Sequence, residues 1–121
     1  MGKLEFGIWD SFPAYEMSTS AVAADVYDQH LYEVQMAEEL GYESYYTIEH
    51  QNSHVGQLTA PSVYLTAVAQ RTTAMRFGVM IYQLPFYNPV RLAEEAAMLD
   101  HLSHGRLEFG LSLIHISEPT R

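Results

Sequence analysis

Apolar residues occur along this chain in two patterns: short, nearly unbroken runs, and longer stretches where they recur every three or four positions. "LEFGIW" (residues 4–9) is a run rich in aromatic and β-branched side chains, bounded by Asp10 and Pro13, and it reads as a buried strand. "SYYTI" (44–48), "RFGVMIYQL" (76–84) and "RLEFGL" (106–111) are three more. Between them the spacing turns helical. Over residues 21–40, Tyr27, Leu31, Val34 and Ala37 fall on one face, and Gly41 stands where a left-handed stop is expected. Pro61 opens a second helix through "SVYLTAVAQRTT" from the first turn, where its missing N–H costs nothing. Asn88 and Pro89 supply an N-cap and a first-turn proline for a third. Leu92, Ala96 and Leu99 mark its buried face and Gly105 its end.

The order is therefore βαβαβαβ. Apolar strands alternating with helices imply a parallel sheet covered by helices, with the strands adjacent in chain order and three helices on one side. The connections after strands read as the long ones (residues 10–20, 49–59 and 85–87). Those after helices are short ("GYE", "AM", "HG"). Long loops gathered at the C-terminal strand ends suit a (β/α)8 barrel with its site on that face, and suit a doubly wound sheet equally well. No G-x-G-x-x-G follows the first strand, which counts against a dinucleotide-binding fold.

Composition narrows the class. The 121 residues are 48% hydrophobic and 17% charged, a core-forming balance for one modest domain. Six Lys plus Arg against fifteen Asp plus Glu leave a net charge of −9, which opposes binding to phosphate backbones and excludes nucleic acid as an expected partner. Zero cysteines exclude disulfides, thiolate metal sites and a cysteine nucleophile. No apolar run approaches the ~20 residues of a membrane span, and the opening shows no secretory signal, so no membrane partner and a cytoplasmic location are expected.

The residues that could carry chemistry lie at strand ends. Glu49 and His50 fall where the second strand opens into its long loop. Imidazole there suits proton transfer near neutrality, whereas the structural alternative is a loop histidine on backbone with Glu49 in an ion pair. His50 and His54 form an H-x-x-x-H spacing, but in a loop and without H-E-x-x-H, so no metal is expected. Trp9, Phe12 and Tyr15 flank the end of the first strand; Tyr82, Phe86 and Tyr87 flank that of the third. Such ends suit a flat, largely apolar ligand, with Trp9 the foremost contact. Glu38–Glu39 and Glu94–Glu95 read as solvated helix faces, and His101 and His104 as partners of a helix C-terminus.

Together "LEFGIWD", "AEELGYESYYTIEHQ" (37–51) and "APSVYLTAVAQRTTAMRFGVMIYQLPFYNPVRLAEEAAMLDHLSHGRLEFG" (60–110) resemble the bacterial-luciferase-like family of flavin-dependent oxidoreductases. "LPFYNPVRLAEEAAMLDHLSHGR" is the most specific part, and the resemblance covers residues 4–110. It implies the N-terminal half of a (β/α)8 TIM barrel, with four parallel strands and three helices. It also implies an FMN-dependent monooxygenase acting on a small organic substrate with O2, dimeric at full length. His50 matches the family's active-site histidine near the reacting flavin. Met80 and Ile81 match a strand pair lying against the isoalloxazine ring, often joined by a cis peptide. Trp9 matches a strand-one aromatic facing the flavin. Two departures stand out. Gln51 replaces a second histidine found in many members, and Asn88 stands where the luciferases proper have histidine. Light emission is therefore not implied, while a dehydrogenase using the deazaflavin F420 is the alternative within the fold.

The end of the chain follows a different logic. "LSLIHISEPTR" (111–121) matches, in one frame, the translation of a transposase adapter used in sequencing libraries. The expectation is a partial barrel over residues 1–110 and a non-native tail over 111–121, in a 121-residue chain that is inactive by itself. A product with no activity or binding role is the reading of a different class.

Overall fold

The computed structural model describes residues 4–19, 23–52 and 56–111. Its elements are β1 (Gly7–Asp10), α1 (Ala14–Thr19), α2 (Ala23–Glu39), β2 (Ser44–Thr47), α3 (Pro61–Arg71), β3 (Arg76–Tyr82), a 3₁₀ turn at Leu84–Phe86, α4 (Pro89–Leu102) and β4 (Leu107–Leu111). The four strands form one sheet in the order β1-β2-β3-β4, every neighbouring pair parallel.

Register divides the sheet into two unlike faces. Ile8, Tyr45, Phe77 and Leu107 lie side by side across the strands, as do Trp9, Tyr46, Gly78 and Glu108 one position on. Because successive side chains point to opposite faces, the first row meets the helices and the second does not. Tyr45, Phe77 and Val79 pack in the core with Leu31 and Val34 of α2, Leu65 and Val68 of α3, and Leu92 and Leu99 of α4. Each large side chain removed from water there contributes about 1.5–3 kcal/mol. On the other face Trp9 and Met80 remain 61% and 54% exposed.

Two polar devices fix the helix ends against the sheet. The Arg106 guanidinium donates to the carbonyls of Ala69 (2.7 Å), Met75 (3.1 Å) and Ser103 (2.8 Å) and to Thr72 Oγ1 (2.8 Å). It also lies over the Phe77 ring, 5.4 Å from its centroid. The Glu38 carboxylate accepts the backbone N–H groups of Thr73, Ala74 and Met75 at 2.7–3.0 Å. Burial opposes its ionisation, but those three N–H groups, with the more distant Arg106, hold its pKa below the ordinary value. Glu38 is thus not merely a solvated residue: it anchors the turn between α3 and β3.

The first strand and the loop after it also differ from the sequence reading. β1 begins at Gly7, and Leu4 and Phe6 are exposed. Just before Gly7 the Phe6 carbonyl accepts the Glu43 N–H (2.8 Å), one residue ahead of the start of β2 at Ser44. The loop after β1 contains α1, started by Glu16 and Met17 N–H groups on the Pro13 carbonyl. Six residues are too few to display a helical period. Residues 112–121, and with them most of the adapter-like stretch, lie outside the described residues; Leu111 pairs with Tyr82 at the end of β4.

Candidate active site at the strand ends

The C-terminal ends of β2 and β3 are joined by one buried carboxylate. Glu49, 3% exposed, accepts from the Gln51 side-chain amide (2.9 Å) through one oxygen and from the Gln83 backbone N–H (2.9 Å) through the other. The Gln83 amide returns a bond to the Glu49 carbonyl (2.6 Å), and the Tyr87 hydroxyl also reaches the carboxylate. Burial, then the Glu49 charge, pushes the Tyr87 hydroxyl pKa upward. Glu49 therefore has a cage of neutral donors in place of the ion pair considered from the sequence. Such a cage satisfies a buried carboxylate, and removing it leaves the Gln83 N–H unpaired. Glu49→Ala is expected to lower stability by about 1–3 kcal/mol, read as a fall in the urea midpoint.

This clamp sits between the segments carrying the candidate residues. His50 follows Glu49 directly, and its backbone N–H donates to the Leu58 carbonyl (3.1 Å). The returning loop passes close over the imidazole at Gly56, where a Cβ would stand 2.7 Å from His50 Cδ2. Gln51 ties the loop by donating to the Thr59 carbonyl (2.8 Å). In β3, Met80 and Ile81 precede the Gln83 end of the clamp, and the peptide bond between them is cis. The β3–β4 register shifts between Val79 and Tyr82. Trp9 belongs to the open row of the sheet beside Tyr46 and Gly78. Gly78 has no room for a side chain, because a Cβ there would meet the Glu108 carbonyl oxygen at 2.2 Å. Gly78 is itself buried, and its two cross-strand neighbours meet over it, the Tyr46 hydroxyl donating to the Glu108 carboxylate.

The other aromatics separate. Phe12 and Tyr82 are fully buried in the helix-side core, with Phe12 edge-on to Tyr64 and Tyr82 edge-on to Tyr87. Tyr15 and Phe86 are exposed. Asn88 caps α4 by accepting from the Val90 and Arg91 N–H groups (3.0 and 3.3 Å). His54 lies outside the described residues, and among the described residues no group of three or more acidic or histidine side chains is placed to hold a metal ion. No described helix is long and apolar enough to cross a membrane.

A second polar cluster escapes the sequence reading. His30, on the buried stripe of α2 one residue before Leu31, is packed between Asp10 and Glu16 beside a cleft of about 590 Å3 that also reaches Trp9. Its four-residue spacing from Val26 and Val34 is the signal that could have found it.

A four-stranded parallel sheet with helices on one face, and polar residues gathered at its C-terminal strand ends, defines an α/β protein of the β/α-barrel class. Residues 4–112 match the luciferase-like monooxygenase family, and the chain belongs to that family. It is 38% identical over 109 residues to the uncharacterized protein y4wF of Sinorhizobium fredii, covering 90% of this chain and 31% of the relative. It is 31% identical to limonene 1,2-monooxygenase of Rhodococcus erythropolis, covering 90% of this chain and 27% of the relative. Its fold superposes with a TM-score of 0.80 on the oxygenating constituent of 3,6-diketocamphane monooxygenase from the CAM plasmid of Pseudomonas putida, a type II Baeyer-Villiger monooxygenase in complex with FMN. The identity there is 23%, over 91% of this chain and 29% of that one. The chain therefore spans about a third or less of the length of these relatives, and its sheet is a four-stranded portion of a (β/α)8 barrel.

Proposed function

We propose that these residues form one wall of the active site of an FMN-dependent monooxygenase that oxidises a small organic substrate with O2. The observation that carries this reading is the open face of the sheet. Trp9 and Met80 are large apolar groups left exposed on the face of the sheet away from the helices, a surface that suits one side of a flat aromatic ring. FMN, when bound, supplies the redox chemistry that activates oxygen. Trp9, Met80 and Ile81 would border its ring. His50 would hold or move a proton at an imidazole nitrogen, where the Glu49 clamp and the Gly56 loop keep it at the strand end. FMN is favoured over F420 because the FMN-bound neighbour superposes more closely (TM-score 0.80) than a coenzyme F420-dependent tetrahydromethanopterin reductase of the same fold does (0.61). The limonene enzyme supports a small, largely apolar substrate.

One wall holds a ring poorly, since most of the binding surface of a buried cofactor comes from enclosure. The 121-residue chain is therefore expected to bind FMN weakly or not at all and to turn over nothing. Its single tryptophan, Trp9, reports the titration directly through quenching. Saturable, tight FMN binding by this chain would overturn the incomplete-site argument. A full-length enzyme carrying these residues that neither binds FMN nor consumes O2 with reduced flavin would overturn the functional reading.

A further inference from the structure

We infer that His30 is a proton-operated latch that fastens α1 to the end of β1, beside Trp9, and releases it when the ring loses a proton. The cluster lies on the helix side of the sheet and does not depend on the flavin reading.

The geometry sets the charge state. Nδ1 of His30 lies 2.8 Å from Asp10 Oδ2, and Nε2 lies 3.1 Å from Glu16 Oε2. An ionised carboxylate only accepts, so a ring that serves one on each nitrogen must donate from both, which only the imidazolium can do. The His30 side chain is 10% exposed and its ring stacks on Phe12 with 4.3 Å between centroids, so water cannot substitute freely for either partner. The groups facing it come from every packed element. Asp10 comes from β1, and Glu16 from α1 with the Tyr15 hydroxyl beside it. The Tyr45 hydroxyl from β2 donates to Asp10 (2.5 Å) and lies 3.3 Å from that of Tyr64 in α3. Asp25 and Glu33 of α2 line the same cleft. Burial alone would lower the His30 pKa, but its bonds to Asp10 and then Glu16 outweigh burial and raise it above 6.5.

The sign follows. A folded pKa above the unfolded value gives a contribution that is complete below the unfolded pKa and lost as pH rises through the folded one. The neutral ring can donate to one carboxylate only. Asp10 is the one kept, because its contact is shorter, it is less exposed than Glu16 (17% against 33%), and Tyr45 already holds it in place. Glu16 loses the His30 donor, though not its neighbouring Tyr15 hydroxyl, and α1 loses the tie to the β1 end that ran through His30.

The test is an NMR titration of the 121-residue chain that follows the His30 ring and the backbone order parameters of residues 14–19. The expected result is a His30 midpoint above 6.5, with α1 order parameters falling from about 0.85 to below about 0.6 across it while those of α2 stay constant. In Glu16→Gln the midpoint should move down and the α1 response should no longer follow it. A midpoint at or below 6.5, or α1 order unchanged across the midpoint, overturns the latch. If Glu16→Gln does not fold, the wild-type titration decides alone.

Discussion

His50→Ala, in a full-length enzyme carrying these residues, is expected to lower turnover by about a hundredfold or more while flavin affinity changes little. The asymmetry comes from position. His50 stands past the end of β2, in the loop bonded to Leu58 and closed by Gly56, whereas the surface suited to a ring is the exposed Trp9 and Met80 side of the sheet. Losing the imidazole removes a proton donor or acceptor and leaves that face intact. Steady-state kinetics with reduced FMN, paired with a flavin titration of the same variant, separates the two effects. An unaltered turnover number would remove His50 from the mechanism. Equal losses in flavin affinity and turnover would make it a binding residue instead.

Phe77→Ala should lower stability by about 3–5 kcal/mol, a large share of the 5–15 kcal/mol typical of a folded domain. Phe77 is fully buried in the helix-side row between Tyr45 and Leu107, and the Arg106 guanidinium lies over its ring. Truncation removes the transfer free energy of the ring, leaves a cavity, and strips the stacking partner from the arginine that ties α3 to β4. Met98→Ala, at an exposed position of α4, should stay within about 0.5 kcal/mol. Urea unfolding of both variants checks the contrast; a Phe77→Ala midpoint matching that of Met98→Ala would show that the row does not hold the sheet to its helices.

The sequence by itself determined the order of elements, the buried stripes and the stops. Leu31, Val34 and Ala37 are buried as their spacing requires, as are Leu92 and Leu99. Gly41 and Gly105 take positive φ (89° and 80°), and Pro61 and the Asn88–Pro89 pair begin helices. These features are local: each follows from a period of 3.6 or 2, or from the backbone freedom of one residue type. The family was legible as well, because "LPFYNPVRLAEEAAMLDHLSHGR" is a contiguous signature, and the match over residues 4–112 bears it out.

Only the tertiary structure decided which groups meet. Phe12 and Tyr82 look like ligand contacts in a linear reading, yet register and the α3 face place them in the core. Glu49 has partners two and thirty-four residues away, and its donors are neutral. Glu38 reaches the turn after α3, and His30 joins Asp10 and Glu16 from twenty and fourteen residues off. Nothing in local sequence marks such pairs, because a hydrogen bond across the fold depends on where the sheet and helices bring the chain back. Spacing along the chain governs the elements, and spacing in three dimensions governs which carboxylate finds which donor.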